Sequence, residues 1–403
     1  HLSDPRVFGR FWRISSNRSR VLQTETEVIA SLRDHLGAFS ERIRHVEWNR
    51  LGLIAPGIAG LAPALLHHGL GGSKELTLVD ALYPQALKRQ WASCLPEEML
   101  WLVIDDDSAQ LETMTLMKTL FGLVVSKLGV QEAARRFAAV VLPGSPLEEQ
   151  ARMIGFSGIM TTTGPTEPKF SAFTESAILP TALIGARPID ELIEEHDTRL
   201  LSELESAREA RRDPIIRLGI ALAELATMGR SRLTILTTRN ELQRRSADWI
   251  RHLLAANTGK EGRAVLAVVD EDEGAPSNGG SEQAFLVFVD DDETDALEST
   301  SRRLVERGHP VLRIRAPKEE TLIPWLRTWE LVTTAACRCL DVLPFDDAEA
   351  RKTTRLARRL VEDYVDHRAI KDSNFGKTTS IETYAEEAGV VMRNAAESKK
   401  PFL

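Results

Sequence analysis

The chemistry-bearing residues stand out first at "LWLVIDDDSAQLET", residues 100–113. An apolar strand ends in three consecutive carboxylates, Asp105, Asp106 and Asp107, and a helical pattern begins at once. In an α/β protein the turn between a strand and a helix N-terminus is a natural anion cradle, because unpaired backbone amides and the helix dipole both favour negative charge there. Three acids in that turn reverse the expected preference. A phosphate charge about 4 Å from one ionised carboxylate is repelled by roughly 4 kcal/mol at an intermediate dielectric. The helix dipole returns only about half a charge. One or two of the acids also read as an ordinary helix N-cap. Divalent-cation chemistry is the remaining option, but adjacent side chains at a strand end alternate in direction, so at most two of the three converge. No metal and no cofactor are assigned.

Other reactive side chains form no catalytic constellation. The nine His show no zinc-ligand spacing, and His67-His68 falls at a helix end. Of three Cys, Cys94 is isolated, and Cys337 and Cys339 lie two apart in a helical pattern, on different faces. No disulfide framework is present, which makes the cytoplasm the expected compartment. The net charge of −8 and the lack of a basic domain argue against nucleic acid. The arginines at 6, 10, 13, 18 and 20 read as a solvated basic leader. No apolar run reaches the roughly 18 residues of a membrane span, and no membrane partner is expected.

The elements that must position these residues are legible from periodicity. The runs 51–54, 75–79, 100–104 and 138–142 read as buried parallel strands separated by helical patterns such as 61–69 and 109–124. A second series follows at 233–237, 264–270, 284–289 and 310–315, separated by amphipathic stretches at 241–256 and 293–307. Two βαβ series predict an α/β chain of two doubly wound domains with parallel sheets. A charged helical connector spans about 188–228, and the acidic, Pro/Gly-rich stretch 271–282 reads as an exposed loop. The expected organisation is an N-terminal helical segment over 1–45, a first subdomain over 46–200, a second over 201–345, and a C-terminal helical tail over 346–403 with a polar interval at 371–380.

Three ordered segments carry a resemblance. "TTTGPTEPKFSAFTESAILPTALIGARPIDELIE" (161–194), "WIRHLLAANTGKEGR" (249–263) and "WLRTWELVTTAACRCLDVLPFDDAEARK" (325–352) resemble segments of the phosphoglucose isomerase family. In that family they are built around G-G-R-[FY]-S, E-S-[TN]-G-K-E-G, and W-E-x-A-T-A with a later N-P-F-D. The flavour is nearest the isomerase half of bacterial transaldolase–phosphoglucose isomerase fusions. The resemblance covers about 46–360. It implies two sugar-isomerase (SIS-type) αβα subdomains, flanked by N- and C-terminal helices, with the active site between them. It also implies an aldose–ketose interconversion of glucose 6-phosphate and fructose 6-phosphate, a possible homodimer, and a possible protein partner or fused transaldolase-like domain.

The positions that carry the family chemistry are changed. The first phosphate loop, G-x-G-G-S-[SD]-L-[AG]-P in the family, is "APGIAGLAP" (55–63) here. Gly57 survives, the Ser position is Ala59, and one glycine is Ile58, a residue that takes positive φ only at a cost. In the second loop, S-K-[ST]-G-[GT]-T-x-E-T, the frame residues Glu112 and Thr113 match. The hydroxyl positions fall on Asp105, Asp107 and Gln110, and the Lys falls on Asp106. The catalytic base, a Glu in the family, is Ala256, which cannot accept a proton. A family Gln one helical turn earlier is His252. The Arg that stabilises the enediolate matches Lys169, which keeps charge but loses the planar fork. The late family Lys matches Lys352 across a short gap. The joint pattern implies an isomerase-like chain without isomerase activity, serving as a structural or interaction domain. The alternative is a divergent isomerase in which His252, Lys169 and Lys352 act on a neutral or cationic sugar.

Overall fold

The computed structural model describes residues 35–92, 94–105, 110–162, 172–185, 214–238, 240–260, 262–271, 281–290, 294–344, 348–367, 370–372 and 377–379. The first sheet is built from β1 (Arg50–Ile54), β2 (Glu75–Val79), β3 (Met99–Asp105), β4 (Phe137–Val141) and β5 (Gly158–Thr161). All pairs are parallel and the order is β2-β1-β3-β4-β5. Every residue of β3 and β4 is buried, which is why both read as continuous apolar runs. Edge strand β2 mixes one exposed and three half-buried positions. Strand β5 escaped the sequence reading, because its four residues, GIMT, are too short and too mixed to register as a run.

Gly52 of β1 has a steric reason. A Cβ there would stand 2.4 Å from the ring of Trp101, its partner across the β1–β3 ladder. Trp101 therefore lies across the sheet and stacks with Trp91 and Phe137 at 6.3 and 6.0 Å between centroids. Phe121 and Phe156 extend this cluster on the same face. The helix over 35–43 inserts Phe39 and Ile43 into the core on the other face.

The second sheet contains β6 (Arg232–Leu236), β7 (Leu266–Val269), β8 (Gln283–Val289) and β9 (Val311–Arg315), all parallel, in the order β7-β6-β8-β9. With the 35–43 helix as α1, the helices of the first half are α2 (Leu61–Leu70), α3 (Pro84–Ala92), α4 (Gln110–Leu128), α5 (Val130–Arg135), α6 (Pro146–Ile154) and α7 (Glu175–Leu183). In the second half they are α8 (Pro214–Thr227), α9 (Glu241–Thr258), α10 (Thr294–Glu306) and α11 (Leu322–Leu340). One continuous core joins the halves: Leu65, Leu66, Phe173 and Ile178 pack with Trp249, Leu253, Leu286 and Trp329. Within the second half α8 and α11 pack closely: a Cβ on Gly219 of α8 would meet the Val332 carbonyl of α11 at 2.5 Å.

Chain contacts divide the molecule into residues 1–346, which hold both sheets, and 347–403. The second unit contains α12 (Ala348–His367) and a small antiparallel hairpin of β10 (Ile370–Asp372) and β11 (Lys377–Thr379). The polar interval expected at 371–380 thus forms short strands where described. Residues 1–34, the connector over 186–213 and the acidic loop over 272–280 lie outside the described residues.

Candidate functional site

In an open parallel sheet, ligands bind beyond the carboxyl ends of the strands, where the strand order reverses. In the first sheet that point lies between β1 and β3. The two loops leaving it are 55–60 and the turn after Asp105, the two phosphate-loop positions of the sequence analysis.

The turn after β1 takes its left-handed step at Gly57, with φ +72°. Gly57–Gly60 is then a short 3₁₀ turn that feeds α2. Ile58 is not among the non-glycine residues with positive φ, so the strain expected from its presence does not arise. Its side chain is instead 9% exposed, and Ala59 is 4% exposed against the first sheet's core. Gly60 cannot be larger, since a Cβ would stand 2.5 Å from both the Ala55 carbonyl and Leu78 Cδ1. The turn is closed by packing, and no hydroxyl is contributed by 57–60.

Asp105 ends β3 and is 3% exposed, with its carbonyl accepting from Leu142 N at 3.1 Å. Glu112 sits in the first turn of α4, where the helix dipole favours an acid, and Thr113 is buried. Gln110 is the first residue of α4, and its side chain is not described. Asp106, Asp107 and Lys169 lie outside the described residues. Among those described, no group of three or more His, Cys, Asp or Glu side chains is placed to hold a metal.

Helix α9 brings the second half to this edge. Asn240 caps it by accepting from Leu242 N at 2.9 Å and Gln243 N at 3.4 Å. Its buried side carries Leu242, Ser246, Trp249, Ile250, Leu253 and Asn257. Asp248, His252 and Ala256 follow at i, i+4 and i+8, so they share a stripe, and each is half-buried. The helix packs on α2 and on the 57–60 turn. His252 also feels Asp80, immediately beyond the end of β2. The helix that carries His252 and Ala256 therefore packs against the turn that carries Gly57 and Ala59.

The geometry around His252 limits what it can do. Arg251 Nη2 lies 3.2 Å from His252 Nε2, and Arg251 also pairs with Asp248 at 3.0 Å. A guanidinium has only donors, so Nε2 is the acceptor and its lone pair is engaged. Burial pushes the His252 pKa down, Arg251 adds to this, and Asp248 and Asp80 oppose it. The imidazole is held neutral with Nε2 occupied.

Lys352 lies on α12, in the second unit, with an exposed side chain. Cys337 is buried and Cys339 exposed on α11, as their spacing implies. His67 and His68 occupy the last turn of α2.

Two features were not foreseen from sequence. The segment "GKEGR" clamps the end of α11: Lys260 Nζ donates to the Leu343 carbonyl and to the Pro344 carbonyl at 3.1 Å. Arg263 donates to the Leu340 carbonyl. Cations at a helix C-terminus satisfy its unpaired carbonyls and its dipole. The second is a buried pair on α11, Arg327 and Glu330, 3.1 Å apart and each 8% exposed. The Arg327 guanidinium stacks 3.7 Å from the centroid of Phe173, which belongs to the first half. Both features use residues of the segments that carried the resemblance, in scaffold roles. The signal available was charge within an otherwise apolar helix, which in "LIPWLRTWELV" is rare enough to demand a partner.

These sheets, their order and their covering helices define two SIS-type αβα subdomains. Solved structures agree with that fold. A glucose-6-phosphate isomerase from Chlamydia trachomatis superposes with a TM-score of 0.66 at 11% identity, covering 83% of this chain and 74% of that one. A hypothetical protein from Thermus thermophilus gives 0.61 at 16% identity, covering 89% and 99%. A tagatose-6-phosphate ketose/aldose isomerase from Escherichia coli gives 0.50 at 14%, covering 81% and 90%. No family model and no curated protein matches the sequence. Among the described residues, no helix is long and apolar enough to cross a membrane.

Proposed function

We propose that this chain keeps the scaffold of a phosphosugar isomerase without its aldose–ketose chemistry, and that it serves as a structural or interaction domain. The observation that carries the reading is the Asp248–His252–Ala256 stripe. The position that matches the family's base is a methyl group, Ala256, on the helix that packs against the 57–60 turn. The nearest imidazole has its Nε2 lone pair engaged by Arg251. Isomerisation between C1 and C2 needs a base within hydrogen-bond reach of the moving proton, and the stripe presents none that is uncommitted. The entrance to the other loop is the buried carboxylate of Asp105, followed in sequence by Asp106 and Asp107. A dianionic substrate meets charge of its own sign there.

A coupled assay on the purified chain with glucose 6-phosphate and fructose 6-phosphate tests the proposal. The expected result is no turnover above the uncatalysed rate. Turnover near typical enzyme values, about 10 per second or more, overturns it. In that event His252→Asn, compared with the parent, decides whether the divergent-isomerase reading holds, because that reading makes the imidazole the base.

A further inference from the structure

The second sheet ends on β9, which pairs with β8 along one side. In a parallel ladder, alternate residues of a strand bond the same neighbour. Phe285 N donates to the Pro310 carbonyl at 2.9 Å, and Ala316 N donates to the Val289 carbonyl at 3.0 Å. The even-numbered residues from 310 to 316 therefore bond β8. The N–H and C=O groups of Val311, Arg313 and Arg315 point away from the sheet. Among the described residues, no hydrogen bond reaches these outward groups. The β2 edge of the first sheet differs: there the outward Leu78 carbonyl accepts from Gln90 Nε2 at 3.1 Å. A free row of backbone donors and acceptors is a template for another strand.

The two faces of β9 indicate what fits beside it. Val311, Arg313 and Arg315 share the face toward α10, where Val311 packs against the cluster of Phe285, Val287 and Leu304. Arg313 and Arg315 are exposed, and neither guanidinium has an ion-pair partner among the described residues. Glu298 lines the same shallow hollow as Arg313, but Arg302 already bonds it at 2.8 Å. Leu312 and Ile314 share the other face, half-buried against the core that holds Trp329. An added strand sets its own residues level with these. Beside Arg313 and Arg315 an acid meets opposite charge. Beside Leu312 and Ile314 an apolar residue completes the burial that β8 has and β9 lacks. A second copy does not fit, because β9 laid on β9 sets arginines beside arginines, and like charges across a strand pair are destabilising.

We propose that β9 takes up an extended partner segment in which acidic and apolar residues alternate, by strand addition to the second sheet. The outward backbone groups hold the segment, and the two arginines select its acids. The segment must be ordered as it binds, so a dissociation constant of about 10–100 μM is expected. This partner class deepens the interaction-domain reading and rests on it for its purpose. Binding at β9 is measured without turnover, so the two fail separately.

Fluorescence anisotropy of a labelled peptide of about nine alternating Glu and Val residues, long enough to span β9, is titrated with the full chain to about 300 μM. Saturable binding is expected, with a peptide of alternating Lys and Val about tenfold weaker or more. Arg313→Glu/Arg315→Glu should exchange the two preferences, and circular dichroism confirms that this variant is folded. The Glu/Val peptide N-methylated at every residue keeps its charge but cannot pair, and it should not bind the parent chain. A parent that leaves the Glu/Val peptide unbound throughout the range overturns the proposal. So does equal binding of the methylated peptide, or of one with the same residues in two blocks, since charge alone then carries it. A preference unchanged in the folded double variant also overturns it, since another surface is then responsible.

Discussion

The buried Arg327–Glu330 pair gives a prediction whose size follows from the structure. Both side chains are 8% exposed, the charged atoms are 3.1 Å apart, and the guanidinium plane covers Phe173. In water such a pair would contribute little, about 1 kcal/mol or less. Here solvent competes poorly, and the cost of removing one partner is set by the charge left behind. Glu330→Gln leaves the Arg327 cation without its carboxylate, though still against Phe173, so about 3 kcal/mol of destabilisation is expected, the low end of the range for breaking a buried pair. Arg327→Met takes its cationic partner from the Glu330 carboxylate and removes a cation–π contact of about 1–2 kcal/mol, so its cost should be higher, about 4–5 kcal/mol. The double variant Arg327→Met/Glu330→Leu leaves no unpaired charge and keeps the volume apolar. It should lie within about 1–2 kcal/mol of the parent. Urea unfolding followed by tryptophan fluorescence measures all three, because Trp329 lies beside the pair and is fully buried. The coupling read from the cycle should be several kcal/mol in favour of the pair. Single-variant costs that simply add in the double variant would refute the reasoning, and would mean that the two charges are not each other's main compensation.

Three further outcomes follow from particular contacts. Gly219→Val forces a Cβ to within 2.5 Å of the Val332 carbonyl, so thermal unfolding should fall by the equivalent of about 1–3 kcal/mol or more; an unchanged midpoint would mean that α8 and α11 separate freely. Lys260→Met removes two charge-assisted bonds to the carbonyls after α11, at a cost of about 1.5–3 kcal/mol, and amide exchange should accelerate over 340–344. The His252 and His67 pKa values are both pushed below the ordinary 6.5, chiefly by burial. The unfolded chain therefore binds protons that the folded chain refuses. Stability from these groups is complete above about pH 6.5 and declines as the pH falls through the interval beneath it. Urea midpoints between about pH 7.5 and 5 should decline, and His67→Asn/His252→Asn should flatten the slope; an equal slope in parent and variant would place the effect elsewhere.

The fold was legible where the chain is buried on both faces. Strand β3 as far as its terminal Asp105, and strand β4 throughout, are apolar because both faces are buried, so length and flanking turns located them. Strand β5 was missed for the opposite reason: GIMT has no run and no alternation, and only pairing with β4 makes it a strand. The site was legible in part. Gly57, Ala59, His252 and Ala256 were named from their positions in motifs, and α9, which holds the last two, packs on the turn that holds the first two. The anticipated strain at Ile58 did not materialise, because the turn takes its positive φ one residue earlier, a difference that residue types alone do not encode. The Arg251–His252 contact and the α11 clamp were not legible. Each depends on which rotamer a long cation adopts, and for the clamp, on bringing residues about 80 positions apart within reach.

The distribution of retained residues argues for what holds the chain in this form. Lys260, Arg263, Arg327 and Glu330 all lie in the segments that resemble an isomerase, and each bonds either a helix end or a buried partner. None of these contacts requires a substrate. Gly57 and Gly60 are kept by the turn itself, one by its φ and the other by the 2.5 Å approach of Ala55 and Leu78. Ala256 and Ala59 instead stand at positions that a packed core tolerates as readily as a chemical one. A half-buried methyl on α9 and a buried methyl in the 57–60 turn satisfy the fold without supplying a proton acceptor or a hydroxyl. Lys260, Arg263, Arg327 and Glu330, in the segments that resemble an isomerase, thus make contacts that folding demands by itself, whatever chemistry the chain performs.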